Sequence, residues 1–97
     1  MTDDTTYQAL AEALIRVSDT AIMRSFLTDL CTPAELRALS ERWHVAKLLQ
    51  DGQMSYRDIN AETGVSTTTI GRVARFLRDE PHGGYRALFE IMETDRD

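Results

Sequence analysis

Residues 54–78 read MSYRDINAETGVSTTTIGRVARFLR, and this stretch decides the fold. Ser55 can cap a short helix, its hydroxyl accepting from a free N–H of the first turn, with Asp58 three residues on to reciprocate. Gly64-Val65-Ser66 interrupts that helix after about two turns. Ser66 then caps a second helix that carries Ile70, Val73 and Leu77 on one face. Ile59 packs the first helix, Gly64 allows the turn, Val65 plugs the angle and Ile70 packs the second helix from inside. Short helix, tight glycine turn and second helix make a helix-turn-helix over roughly Ser55 to Arg78, the arrangement that holds a recognition helix outward for the major groove. Ser66, Thr67, Thr68 and Thr69 fall at the exposed start of that helix. Short hydroxyl side chains there reach base edges, and a threonine methyl can touch a thymine methyl. The positive end of the helix dipole also favours a phosphate nearby. A plain helical hairpin with serine and threonine acting only as caps is the competing reading. The joint spacing of Ile59, Gly64, Val65, Ser66 and Ile70, with arginines clustered behind, favours the DNA reader.

Outward from this segment the pattern is helical throughout. Tyr7, Leu10, Leu14 and Val17 recur at spacings of three and four and predict a first helix over Thr6–Val17. Ser18 or Asp19 can cap a second, with Ile22, Phe26, Leu27 and Leu30 as its stripe. Thr32-Pro33-Ala34-Glu35 is a capping box with proline at the first helical position, and Leu36, Leu39, Trp43 and Ala46 form one face of the helix that follows. Gly52 is a plausible residue for ending it with positive φ. Pro81 and Gly83-Gly84 break the fifth helix, and Tyr85, Leu88, Phe89 and Met92 define a sixth. No segment alternates as a strand would. The expectation is an all-α chain of 97 residues forming one domain: dimerisation helices over 1–53, the helix-turn-helix over 54–78, and a C-terminal loop and helix over 79–97.

The net charge is −5, which a DNA binder must answer for. Its distribution does so: residues 54–78 hold Arg57, Arg72, Arg75 and Arg78 against only Asp58 and Glu62, while the rest of the chain is strongly acidic. Affinity for phosphate depends on the face presented, not on the whole-chain sum. The single cysteine, Cys31, permits no intrachain disulfide and fits a reducing cytoplasm, and it reads as a small buried apolar residue. No apolar run reaches membrane-spanning length, and the acidic start MTDD is unlike the basic opening of a signal peptide, so a cytoplasmic location away from membranes is expected. His44 and His82 have no ligand-like spacing to each other or to Cys31, which argues against a metal site. No phosphate loop, nucleophile elbow or zinc-protease motif is present and no carboxylates pair convincingly, so an enzyme is not expected.

The stretches LCTPAELRAL (30–39), ERWHVAKLL (41–49), MSYRDI (54–59), TGVSTTTIGR (63–72) and GGYRALFE (83–90) keep their order and spacing without large gaps. In these the chain resembles the trp repressor family, and within it the trp-repressor-like YerC/YecD branch. The resemblance implies a six-helix chain in an intertwined two-fold dimer, with helices four and five binding double-stranded DNA at a palindromic operator to regulate transcription. By motif position it implies that Arg57 contacts phosphate or a base, and that Thr67, Thr68 and Gly71 face the groove. Asn60 stands where the repressor has a lysine, and its amide can still hydrogen-bond DNA. With Ser66, Thr69, Arg72 and Arg75, these form the expected DNA-binding set. Arg75 and Arg78 serve equally well as partners of the helix C-terminus.

The same resemblance implies a site for an L-tryptophan-like corepressor, matched here by Thr32, Arg42 and Arg72. Val73 and Phe76 stand at two pocket positions that are small in the repressor. Their added bulk predicts that Phe76 fills the site and that DNA binding needs no cofactor, or that a different small-molecule effector is used. Trp43, on the third helix's apolar stripe, reads as core or dimer-interface packing. A rival to the DNA-binding reading is a helical protein-interaction module that keeps the fold without DNA affinity. The acidic balance favours that rival.

Overall fold

Four side-chain caps set where the helices begin. In the computed structural model, which describes residues 4–95, Asp19 accepts from the Ile22 backbone N–H at 3.1 Å and opens α2 (Thr20–Leu30). Thr32 and Glu35 satisfy each other's backbone N–H at 2.8 and 3.1 Å at the start of α3 (Pro33–Asp51). Ser55 and Asp58 repeat that reciprocal arrangement at 3.2 and 3.1 Å for α4 (Tyr56–Thr63). Ser66 accepts from the Thr69 N–H at 3.2 Å and opens α5 (Thr67–Arg78). Each such cap contributes about 1 kcal/mol by satisfying a donor that the helix itself leaves open. α1 (Asp4–Ile15) and α6 (Gly84–Asp95) complete an all-α architecture with no strand among the described residues.

The chain divides into two compact units, Met1–Arg37 and Ala38–Asp97. In the first, α1 and α2 bury no residue. Tyr7 is 64% exposed, Ile15 83% and Ile22 59%. Leu10, Leu14, Phe26 and Leu27 are half-buried, so the apolar faces of the two helices are only partly covered. Cys31 ends α2, where its backbone N–H reaches the Leu27 carbonyl. It is half-buried rather than fully enclosed.

The second unit has a true core. Val45, Ala46 and Leu49 of α3, Ile59 of α4, Val65 of the turn, and Ile70, Val73, Ala74 and Leu77 of α5 are all buried. Full burial of a side chain such as Ile59 or Ile70 stabilises by roughly 1.5–3 kcal/mol. Trp43 and Leu48 of α3, Met54, and Tyr85 and Phe89 of α6 pack around this cluster. The Trp43 ring stacks on Phe89 at 5.1 Å and on Tyr85 at 6.5 Å, which fastens α6 to α3.

The expected α3 stripe is displaced. Ala46 is buried and Trp43 partly so, but Val45 and Leu49 are the other core residues, and Leu39 is 44% exposed. The core-facing side therefore runs along Val45 and Leu49, with Trp43 at its edge. On α6, Tyr85 and Phe89 face inward, while Leu88 and Met92 remain exposed.

Candidate nucleic-acid interface

The turn between α4 and α5 is closed by a set of local bonds. Gly64 ends α4 at φ +76°, a left-handed conformation that costs glycine nothing. The Thr63 hydroxyl donates to the Ile59 carbonyl at 2.7 Å and accepts from the Val65 N–H at 3.1 Å. The Asn60 amide donates to the Val65 carbonyl at 2.8 Å, tying the end of α4 to the entry of α5. Below these bonds Ile59, Val65 and Ile70 are buried at 0%, 5% and 0% exposure. The angle between the two helices is thus fixed from both sides, by hydrogen bonds above and apolar contact beneath.

What this frame leaves outside is polar. Arg57, Thr67, Thr68, Arg72 and Arg75 are all exposed. Thr67 and Thr68 make no side-chain hydrogen bond among the described residues. Ser66 and Thr69 are engaged with each other, hydroxyl to hydroxyl at 3.1 Å, as well as in the cap. Asn60 is exposed, yet its amide nitrogen already serves the turn. Gly71 lies within α5 at ordinary helical φ, and a Cβ built there meets nothing within 4 Å. The fold itself therefore gives no reason for a glycine at that position.

Alongside the second half of α5, a cavity of about 380 Å³ opens between α3, α5 and α6, lined by Leu39, Arg42, Trp43, Arg72, Val73, Phe76 and Tyr85. Four of the five expected ligand residues, Arg42, Arg72, Val73 and Phe76, come together here. Thr32 belongs to the first unit, where its hydroxyl caps α3. Val73 is 1% exposed and belongs to the core as much as to the cavity wall. The Phe76 ring carries the Arg72 guanidinium 4.4 Å from its centroid and that of Arg75 at 5.0 Å. His82 stacks on it at 5.9 Å, nearly parallel. Glu80 lies 4.0 Å from Arg75 and 3.7 Å from His82.

Three of these roles were missed in the sequence: the Asn60 staple, the double use of Thr63, and His82 as a ring partner. The four-residue spacing of Arg72 and Phe76 on one helix was the available signal for the cation on the ring. His82 follows a proline turn, and no local pattern places it. Among the described residues no group of three or more His, Cys, Asp or Glu could hold a metal ion. No helix they form is long and apolar enough to cross a membrane.

Comparison with known proteins agrees with this geometry. The family model described as Trp repressor protein matches residues 5–93. A Bacillus subtilis (strain 168) protein called YerC, described as uncharacterized, is 36% identical over 86 residues, spanning 89% of this chain and 82% of its own length. A Trp operon repressor homolog of Aliivibrio salmonicida (strain LFI1238) is 34% identical over 71 residues, spanning 73% of this chain and 66% of its own length. The crystal structure of a TrpR-like protein from Eubacterium eligens ATCC 27750 superposes with a TM-score of 0.81 at 36% identity, covering 95% of this chain and 92% of the other. The helix-turn-helix, the six-helix order and these similarities lead to one conclusion: the chain belongs to the Trp repressor family, whose members are DNA-binding regulators rather than enzymes.

Proposed function

We propose that the protein is a sequence-specific transcriptional regulator, a repressor that binds a palindromic operator as a homodimer through α4 and α5. The observation that carries this reading is the stapled turn. Asn60, Thr63 and Gly64 lock α5 against α4, while Arg57, Thr67, Thr68 and Arg75 remain free of that frame and exposed. In this reading Thr67 and Thr68 meet base edges, and Gly71 lets the groove wall approach the helix. Ser66 and Thr69 present the helix start, and Arg57, Arg72 and Arg75 contact phosphates. Asn60 adds a phosphate contact through the second hydrogen of its amide nitrogen, the first being donated to the Val65 carbonyl.

The dimer is supported by the first unit, whose two helices expose Tyr7, Ile15, Ile22 and Leu30. A second copy of the chain would cover them. A two-fold axis would then set two copies of α5 about 34 Å apart, one turn of DNA, and operator symmetry would follow.

For the effector, we propose that DNA binding does not require L-tryptophan. The Phe76 ring already occupies the face of Arg72, and Val73 closes part of the wall. The remaining space of about 380 Å³ is at the lower end for a small-molecule site.

Fluorescence anisotropy tests the whole reading, using duplexes enriched from genomic fragments against random duplexes at two salt concentrations, with and without L-tryptophan. Tight binding to enriched DNA alone, unchanged by tryptophan, is the expected result. No enrichment and no affinity at low salt would favour the protein-interaction module, to which the net charge of −5 also points.

A further inference from the structure

Phe76 is a half-buried aromatic residue that the core does not use. The partly buried residues packed against the core are Trp43, Leu48, Met54, Tyr85 and Phe89, and Phe76 is not among them. Its ring neighbours are instead cationic or polar: Arg72 at 4.4 Å, Arg75 at 5.0 Å and the His82 ring at 5.9 Å. Two guanidinium groups are therefore gathered at one ring. Each guanidinium gains from the negative face of the ring. Glu80, 4.0 Å from Arg75, supplies one carboxylate. Arg72 makes no ion pair among the described residues. The cluster carries more positive than negative charge and lies on α5, the helix proposed to meet DNA.

We infer that Phe76 is a positioning residue for DNA binding: its ring holds the Arg72 and Arg75 guanidinium groups in place before DNA arrives. The inference rests on the DNA-binding reading of α5 and adds to it a residue that need not touch DNA. An arginine free in solution loses rotamer freedom when it grips a phosphate, and one already laid on a ring has lost much of that freedom beforehand. His82 closes the arrangement from the loop after α5. Glu80 lies 4.0 Å from Arg75 and 3.7 Å from the His82 ring, adding a weak, solvent-screened attraction to the Arg75 guanidinium. Preorganisation of this kind is worth about 2- to 12-fold in affinity for each side chain fixed. Two arginines on one ring give an expected effect of about 5-fold or more.

The test is a double-mutant cycle read by anisotropy on enriched duplex, with circular dichroism and thermal unfolding recorded for every variant. Phe76→Leu removes the ring, Phe76→Met is a second ringless variant should leucine perturb folding, and Phe76→Tyr restores a ring face. The ringless variants are expected to lose about 5-fold or more in affinity while remaining folded, and tyrosine to recover most of it. In an Arg72→Gln, Arg75→Gln background, removing the ring is expected to cost nothing further, because Phe76 acts only through those two groups. Ringless variants that fold and bind like the parent would overturn the inference and leave the DNA-binding reading standing. An equal loss with and without the arginines would also overturn it, since the role would then be structural. Absence of DNA binding by the unsubstituted protein would overturn both.

Discussion

Gly71→Ala should act in opposite directions on stability and on DNA affinity. Position 71 is the fifth residue of α5, well inside a helix of 12 residues. Glycine in a helix interior is less favourable than alanine by about 0.8–1.0 kcal/mol, because its unfolded backbone has more freedom to lose. A Cβ at this position meets no atom within 4 Å, so no steric term opposes the gain. The variant should therefore be more stable by up to about 1 kcal/mol, which raises the melting temperature by about 4–8 °C in a domain of this size. The proposed interface predicts the contrary for binding. A methyl group on the face of α5 turned to the groove should push the helix outward and weaken the bonds of Thr67 and Thr68 to base edges. A loss of about 10-fold or more on enriched duplex is expected, the equivalent of about 1.4 kcal/mol. Urea denaturation and anisotropy on the same preparations read the two effects. A variant that is stabilised and binds DNA as well as the parent would refute the placing of Gly71 at the groove. One that is destabilised would refute the open space around it.

Three further substitutions separate the parts of the site. Thr68→Ala should leave affinity for random duplex unchanged while reducing discrimination by about 1–3 kcal/mol at one base position, and an equal loss on specific and random DNA would count against direct readout. Arg57→Ala should weaken binding across all sequences and lower the slope of log K against log salt by about one unit, measured by titration at four or five salt concentrations. Asn60→Ala removes the donor to the Val65 carbonyl and should cost about 1 kcal/mol of stability in urea unfolding, since a partly buried acceptor is left unpaired; an unchanged midpoint would show that the staple does not hold the turn.

Local chemistry was the most legible part of the sequence. Thr32 with Glu35, Ser55 with Asp58, and Ser66 each announced a helix start because a cap is made by residues three apart, whatever surrounds them. Gly64 announced the turn for the same reason. Packing was less legible. On α3 the apolar residues cover more than one face, and periodicity alone did not separate the Val45–Leu49 side, which meets the chain's own core, from Leu39, which is exposed. The first unit shows the same limit more strongly. Its stripes were recognisable, yet no residue of α1 or α2 is fully buried, because periodicity shows which residues share a face and not what covers that face. At the candidate interface, the Ser66 cap was readable from its place in the motif, as was the polar, exposed character of Arg57, Thr67 and Thr68. The Asn60 staple and the His82 stack were not, since each depends on where the chain goes after a turn.

In the proposed dimer, two copies of α5 read DNA together. Hydroxyl-radical footprinting on an enriched duplex, with the binding stoichiometry measured on the same material, tests it most directly. Two protected half-sites centred about 10 base pairs apart, related by a two-fold axis and bound by two chains, is the predicted result. A single protected patch bound by one chain, or protection with no two-fold relation, would contradict it.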